Sequence, residues 1–424
     1  MAKRKRIAVV YGSGSTYGSG YEVEITPPRK HKDENVQSFF CKPPMDKSFF
    51  ENPRLWELSL CYPSIKFFTR GYFGFSENAT PAEVGLEEVW SAIDLNQKHI
   101  HLETYGWESE SEKYLEFILA KRDFEDLDEQ DMKPSFETSR TPSGRTRFKF
   151  LGDCGRHLHH LIYRVYGFPK LKGIDAYTEL HKQLLEKDID VEYITFNYDA
   201  CLEKSLKRGD FEFGYLSDVE RIVDGLYREE FSHILKLHGS LTWEHRISNS
   251  LAPLRLPQTF KPWDSSGAPY DFEPIQPDYG ERNTEMAIIP PTWSKQDIND
   301  DIHASRSRLS QLILHQWRSA LEALKQADAV VIVGYSFPPS DLHAQRLFRL
   351  TAMTRNTKGD GGEPLRVAWC RGEENIQESK RDPSRGTVPD FLKSNGLRLV
   401  SEVSEFQNLC NPRTFRETLS KLFP

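Results

Sequence analysis

The sequence predicts an α/β fold: a parallel sheet with helices on both faces, interrupted by a large, mostly helical insertion. Three observations predict it. Ile7-Ala8-Val9-Val10-Tyr11 and Ala329-Val330-Val331-Ile332-Val333 are short apolar runs, ended by Gly12 and Gly334. Strands buried on both faces of a parallel sheet read as unbroken apolar runs of this kind. Further runs at Val191–Phe196, Ile234–Leu237, Ala287–Ile289, Arg366–Trp369 and Leu397–Val400 are separated by helical patterns, including Ile174–Glu186, Ile302–Gln326 and Leu342–Thr351. Such alternation is the pattern of a Rossmann-like sheet. Lastly, about 180 residues separate the first strand from Val191, far more than a connection needs, so an insertion must sit there.

Residues 1–26 and 168–424 are therefore expected to form the sheet-bearing body, and 27–167 the insertion. Pro27–Ser76 is rich in Pro and Phe without clear periodicity. Helical patterns follow at Leu86–Leu95, Glu110–Arg122 and Arg156–Val165. The polar stretch Lys133–Lys149, with Arg140, Arg145, Arg147 and Lys149, reads as an exposed loop, open to partner contact or disorder. A second irregular loop is expected at Pro262–Arg282.

A chain of 424 residues with 38% hydrophobic residues can bury a large core. Its sequence holds no apolar stretch long enough to span a bilayer. Met1–Arg6 is basic and leads straight into a strand, without the apolar region of a signal peptide, so a cytoplasmic protein is expected. The net charge of −7 argues against a generic nucleic-acid coat. Six scattered cysteines without a CxxC pair fit neither a disulfide framework nor a zinc ribbon.

The segments that can carry chemistry all follow strands, where parallel sheets bind ligands. Gly12-Ser13-Gly14-Ser15-Thr16-Tyr17-Gly18-Ser19-Gly20 follows the first strand, and glycines there let backbone N–H groups approach a phosphate. Thr195-Phe196-Asn197-Tyr198-Asp199 carries a carboxamide and a carboxylate that can hold a ribose or serve as an Asx turn. Lys236-Leu237-His238-Gly239-Ser240 delivers an imidazole to the same edge, beside a glycine that would let a ligand approach. Gly334-Tyr335-Ser336-Phe337-Pro338-Pro339-Ser340-Asp341 offers Gly334 and Ser336 to an adenosine ribose, with Asp341 as the cap of the next helix. Arg371 ends a late strand, Val367-Ala368-Trp369-Cys370-Arg371, beside where an adenine would lie. Cys154, His157, His159 and His160 resemble metal ligands in a row, but on a helix only His157 and His160 share a face, and no metal site is expected. No Walker loop occurs.

Taken in order, Gly12–Gly20, Thr195-Phe196-Asn197-Tyr198-Asp199, Leu237-His238-Gly239-Ser240 and Gly334-Tyr335-Ser336 resemble the sirtuin-type NAD-binding fold. The likeness is closer to its bacterial sirtuin-like branch, the NADases of anti-phage defence, which often carry an FNYD-type segment. It runs from about Ile7 to Val400, although Ser13 and Ser15-Thr16 depart from the branch's GAGAS-type sequence. Sirtuin deacylases carry a four-cysteine zinc module, which this chain lacks, so the resemblance implies NAD hydrolysis more than lysine deacylation.

On that resemblance the body is an NAD-binding domain, with NAD as substrate and no metal. Cleaving the nicotinamide–ribose bond passes through an oxocarbenium-like state. Asn197 is expected to orient water or the ribose, His238 to act as general base, and Asp199 to orient the nicotinamide end. Gly12, Gly14 and Ser15 are assigned to phosphate, Gly334 and Ser336 to the adenosine ribose, and Arg371 to the adenine side. The resemblance further implies a gated effector that depletes NAD, is homo-oligomeric and is controlled in trans. Its controlling partner would be a DNA-translocase-type ATPase, an Argonaute-like protein or a phage-derived trigger. The alternatives are an NAD-dependent protein deacylase or ADP-ribosyltransferase, and a non-catalytic NAD or ADP-ribose sensor.

Overall fold

The computed structural model describes residues 4–26, 38–44, 49–74, 84–98, 143–215, 232–246, 284–289, 308–337, 341–356, 363–372 and 388–424. Its centre is a seven-stranded sheet. The strands are β1 (Lys5–Tyr11), β5 (Ile189–Thr195), β6 (Phe213–Tyr215), β7 (Ser232–Lys236), β10 (Ala329–Val333), β11 (Arg366–Arg371) and β12 (Arg398–Ser404). They lie in the order β12-β11-β10-β1-β5-β7-β6, with every neighbouring pair parallel. β1 is central, so Val9 sits between Val331 and Tyr193.

Alternation along β1 fixes the two faces. Ile7, Val9 and Tyr11 enter one core, with α6 (Ala176–Leu185), α7 (Cys201–Arg208), α11 (Phe406–Leu409) and α12 (Pro412–Leu422). Ala8 and Val10 enter the other, with α8 (Arg308–Gln326), α9 (Leu342–Asn356) and α10 (Val388–Ser394). From β1 the chain builds outward to β5, β6 and β7, then returns to the other side of β1 for β10, β11 and β12. The reversal lies between β1 and β10, and a sheet of this kind opens a crevice at the carboxyl ends of the strands there.

A second core belongs to the insertion. It gathers α2 (Pro53–Leu60), α3 (Pro63–Phe73), α4 (Leu86–Lys98) and α5 (Ser143–Tyr166). A three-stranded antiparallel sheet packs with them, with β2 (Tyr21–Ile25) between β3 (Phe39–Cys41) and β4 (Pro169–Leu171). Two of the prolines in Pro27–Ser76 are helix starts: Pro53 and Pro63 take the first helical position, where the missing N–H costs nothing. Phe49, Phe50 and Phe68 are core residues.

Two expectations need correction. The Lys133–Lys149 segment is not a loop throughout, because α5 already begins at Ser143. Polar residues crowd its first two turns, and the apolar spacing that marks a helix starts only at Phe150. Ala287–Ile289 does mark a strand, β9 (Thr284–Ile288), but it pairs antiparallel with β8 (Gly239–Arg246) in a separate two-stranded sheet. The expected Glu110–Arg122 helix and Pro262–Arg282 loop lie outside the described residues.

Candidate active site

The glycine segment after β1 forms the short helix α1 (Ser13–Tyr17), pressed against the loop after β10. Gly14 N–H donates to Gly334 O at 3.0 Å, and Gly12 N–H to Val333 O at 3.0 Å. A Cβ on Gly334 would lie 2.0 Å from Ser15 N, and Gly334 adopts a φ of 63°. Gly12 is equally confined, with Gly334 O 2.6 Å from where its Cβ would be. These glycines are required because two backbones meet at the sheet's reversal point. Gly239 has the same kind of reason: its φ is 81°, and an added Cβ would sit 1.9 Å from Ala287 O. Its freedom serves the turn into β8 rather than ligand approach.

Asn197 and Asp199 follow β5 and reach across to α1. The Asn197 amide lies within hydrogen-bond distance of Gly12 O (3.0 Å), Ser15 Oγ (3.1 Å) and Thr16 Oγ1 (2.9 Å). Thr16 Oγ1 donates to Asp199 Oδ2 at 3.0 Å, while Cys201 N–H donates to Asp199 Oδ1 at 2.9 Å, the Asx turn expected of that residue. Tyr177 of α6 completes the knot, its hydroxyl 2.9 Å from Ser15 Oγ and 3.0 Å from Thr16 Oγ1. Ser15 Oγ also donates to Gly12 O at 2.7 Å. Burial, and then the Asp199 charge, pushes the Tyr177 phenol well above the usual tyrosine range, so it stays protonated. Burial likewise pushes the Cys201 thiol up, which makes it inert as a nucleophile.

Beneath this network lies an ion pair that no local sequence signal announces. Lys236 Nζ sits 2.8 Å from Glu203 Oε1 and donates to Asp199 O at 2.5 Å, and both side chains are fully buried. Tyr215 OH donates to the same Glu203 oxygen at 2.9 Å. A buried charge pair persists only with such extra hydrogen bonds.

His238 leaves β7 among rings. Phe196 meets it edge-on at 5.5 Å, Tyr198 tilts against it at 5.9 Å and Trp317 of α8 at 6.2 Å. Phe196 in turn stacks on Tyr335 at 4.1 Å, which locks the loops after β5 and β10 together. Tyr198 also packs on Trp90 of α4 at 5.6 Å, linking His238 to the insertion. Asp341 caps α9 as expected, accepting Ala344 N–H at 3.0 Å. Its other oxygen accepts Tyr335 OH at 2.8 Å and lies 4.0 Å from His238 Nε2.

Gly12, Gly14, Ser15, Asn197, Asp199 and Gly334 are thus joined in one network, and His238 borders it through Phe196 and Tyr198. Ser336 is exposed on the loop after β10, and adjacent Phe337 holds a left-handed φ of 51°, rare for a bulky residue. Arg371 at the end of β11 packs over Trp369, 4.4 Å from the ring centroid, and is ion-paired with Glu402. Among the described residues no cluster of three or more His, Cys, Asp or Glu side chains is gathered as for a metal. His157 and His160 are buried on one face of α5, with His157 Nδ1 2.5 Å from Ser64 Oγ. No described helix is long and apolar enough to cross a membrane.

Compared with known proteins, the chain matches no family model and no curated sequence. The fold and site define a Rossmann-like α/β protein with a polar cluster at the carboxyl edge of its sheet.

Proposed function

We propose that this chain is an NAD+ hydrolase that cleaves the nicotinamide–ribose bond. One observation carries the reading: the glycine turn after β1, the Asn197–Asp199 turn and His238 converge at the carboxyl edge where the strand order reverses. Support also comes from the ordered resemblance of these segments to sirtuin-like NADases.

In this mechanism the oxygen of a water molecule bonds to the anomeric carbon of the ribose. The bond to the nicotinamide nitrogen breaks and its electron pair leaves with the ring. His238 takes the water's proton, directly or through a ribose hydroxyl, a role suited to an imidazole. Asn197 and Asp199 hold this edge of the site in place through α1. The N–H groups of Gly12, Gly14 and Ser15 are taken by Val333 O, Gly334 O and Gly12 O. This turn therefore shapes the edge rather than donating those groups to the diphosphate, contrary to the sequence expectation. Ser336, exposed beside Gly334, is the residue for the adenosine ribose, and Arg371 closes the far side. Nicotinamide and ADP-ribose are the products.

Further, the enzyme is a regulated effector of anti-phage defence in the cytoplasm, homo-oligomeric, with a basal turnover that a partner in trans raises. Expression in bacteria is the test. Active protein lowers cellular NAD and slows growth, and His238→Ala removes both effects. If the His238→Ala protein, expressed to the same level, is equally toxic and NAD falls alike, the hydrolase reading is wrong.

A further inference from the structure

Asp341 has two jobs that the cap alone does not explain. Its Oδ1 ends α9 by accepting Ala344 N–H, as any cap would. Its Oδ2 is turned the other way, held by the Tyr335 hydroxyl and aimed at His238 Nε2 across 4.0 Å. Both side chains are nearly sealed, at 2% and 4% exposure, and a carboxylate at that range acts strongly where water is excluded. Phe196, stacked on Tyr335 and edge-on to His238, fixes the spacing from the opposite loop.

We propose that Asp341 is the positioning residue of His238: its carboxylate orients the imidazole and stabilises the imidazolium formed when His238 takes a proton. This rests on His238 being the base, and it adds a second group to the site. Asp341 touches no substrate and works through the ring. Burial, and then the Asp341 charge, keeps the Tyr335 phenol well above the ordinary tyrosine range, so it remains a donor to Asp341. Among the described residues, other titratable groups near the pair are Tyr198, whose ring lies 5.9 Å from His238, Glu87 of α4, whose charge acts on Tyr335, and His343 of α9, across Trp317 at 6.0 Å. Lys236, two residues before His238, is bound to Glu203.

Asp341→Asn isolates the charge. Asn caps a helix as well as Asp, and its amide can donate to the Tyr335 oxygen, so the fold is kept while the carboxylate is removed. The experiment is an NMR titration of the full-length protein, with the His238 imidazole signal identified by its loss in His238→Gln. An opposite charge nearby raises a histidine pKa, so the variant should titrate about one unit or more lower than wild type. Asp341→Ser, also a capping residue without charge, should give the same shift and covers the case that the Asn variant folds poorly. An unchanged His238 titration in either folded variant overturns the proposal. The titration reads the pair whether or not NAD is consumed. Turnover by His238→Ala tests the hydrolase reading separately.

Discussion

Asn197 and Asp199 are held by directional hydrogen bonds to α1 and to Gly12 O, and α1 is tied in turn to Tyr177, whereas His238 is surrounded by aromatic rings. Hydrogen bonds fix positions within tenths of an ångström and are costly to orphan when buried. Ring packing confines a group by shape. The difference separates a scaffold from a working group: changes near Asn197 should cost stability and activity together, while a volume-matched change at His238 should cost activity alone.

The scaffold half can be broken most severely from beneath. Glu203→Ala leaves Lys236 buried without its partner carboxylate, at a cost of about 3–5 kcal/mol. Urea unfolding measures it, and a loss under about 1 kcal/mol would mean that the pair does not secure the Asn197 half. A smaller effect is expected one layer up. Asn197→Ala removes the amide donor shared by Gly12 O and two hydroxyls, which keep their other partners, and should cost about 1–2 kcal/mol.

The smallest effect comes through the insertion, which reaches the His238 half by the Trp90–Tyr198 contact. Burial lowers His157 to about 4 and His160 to about 2, so both stay neutral in the folded insertion. The unfolded chain takes up those protons below about pH 6.5, so stability present above that pH is lost progressively as pH falls. For His157 the loss levels off near pH 4. Together the pair should cost about 1 kcal/mol between pH 7 and pH 6. The body has His181, also lowered by burial to about 4, and His315, lowered by burial and then by the Arg318 charge, but neither matches the depression of His160. Hydrogen exchange should therefore show α5 amides losing protection on acidification before those of β1. Equal loss in both would remove the distinction.

The body was readable because its strands are buried on both faces and interrupted by glycines whose spacing reflects real backbone contact. Ile7–Tyr11 and Ala329–Val333 lie side by side in the sheet. The reading of Asp341 as a cap was local and was met by the Ala344 contact, whereas its approach to His238 depends on two loops about 100 residues apart. Tyr177, Lys236 and Glu203 were missed for the same reason: each is an ordinary helix or strand residue until the fold joins it to Asn197 or Asp199. Tyr177, for instance, is 162 residues from Ser15. β8 and β9 were hard to place because a short apolar run does not say which sheet it joins.

The most direct test is NAD consumption by the purified full-length protein, with products resolved by chromatography and melting temperature recorded for each variant. The proposed mechanism predicts free nicotinamide and ADP-ribose from wild type. His238→Gln should melt close to wild type and lose about 10²- to 10⁴-fold of turnover. Asn197→Ala should lose both turnover and stability. Nicotinamide release by His238→Gln at near the wild-type rate would contradict the account.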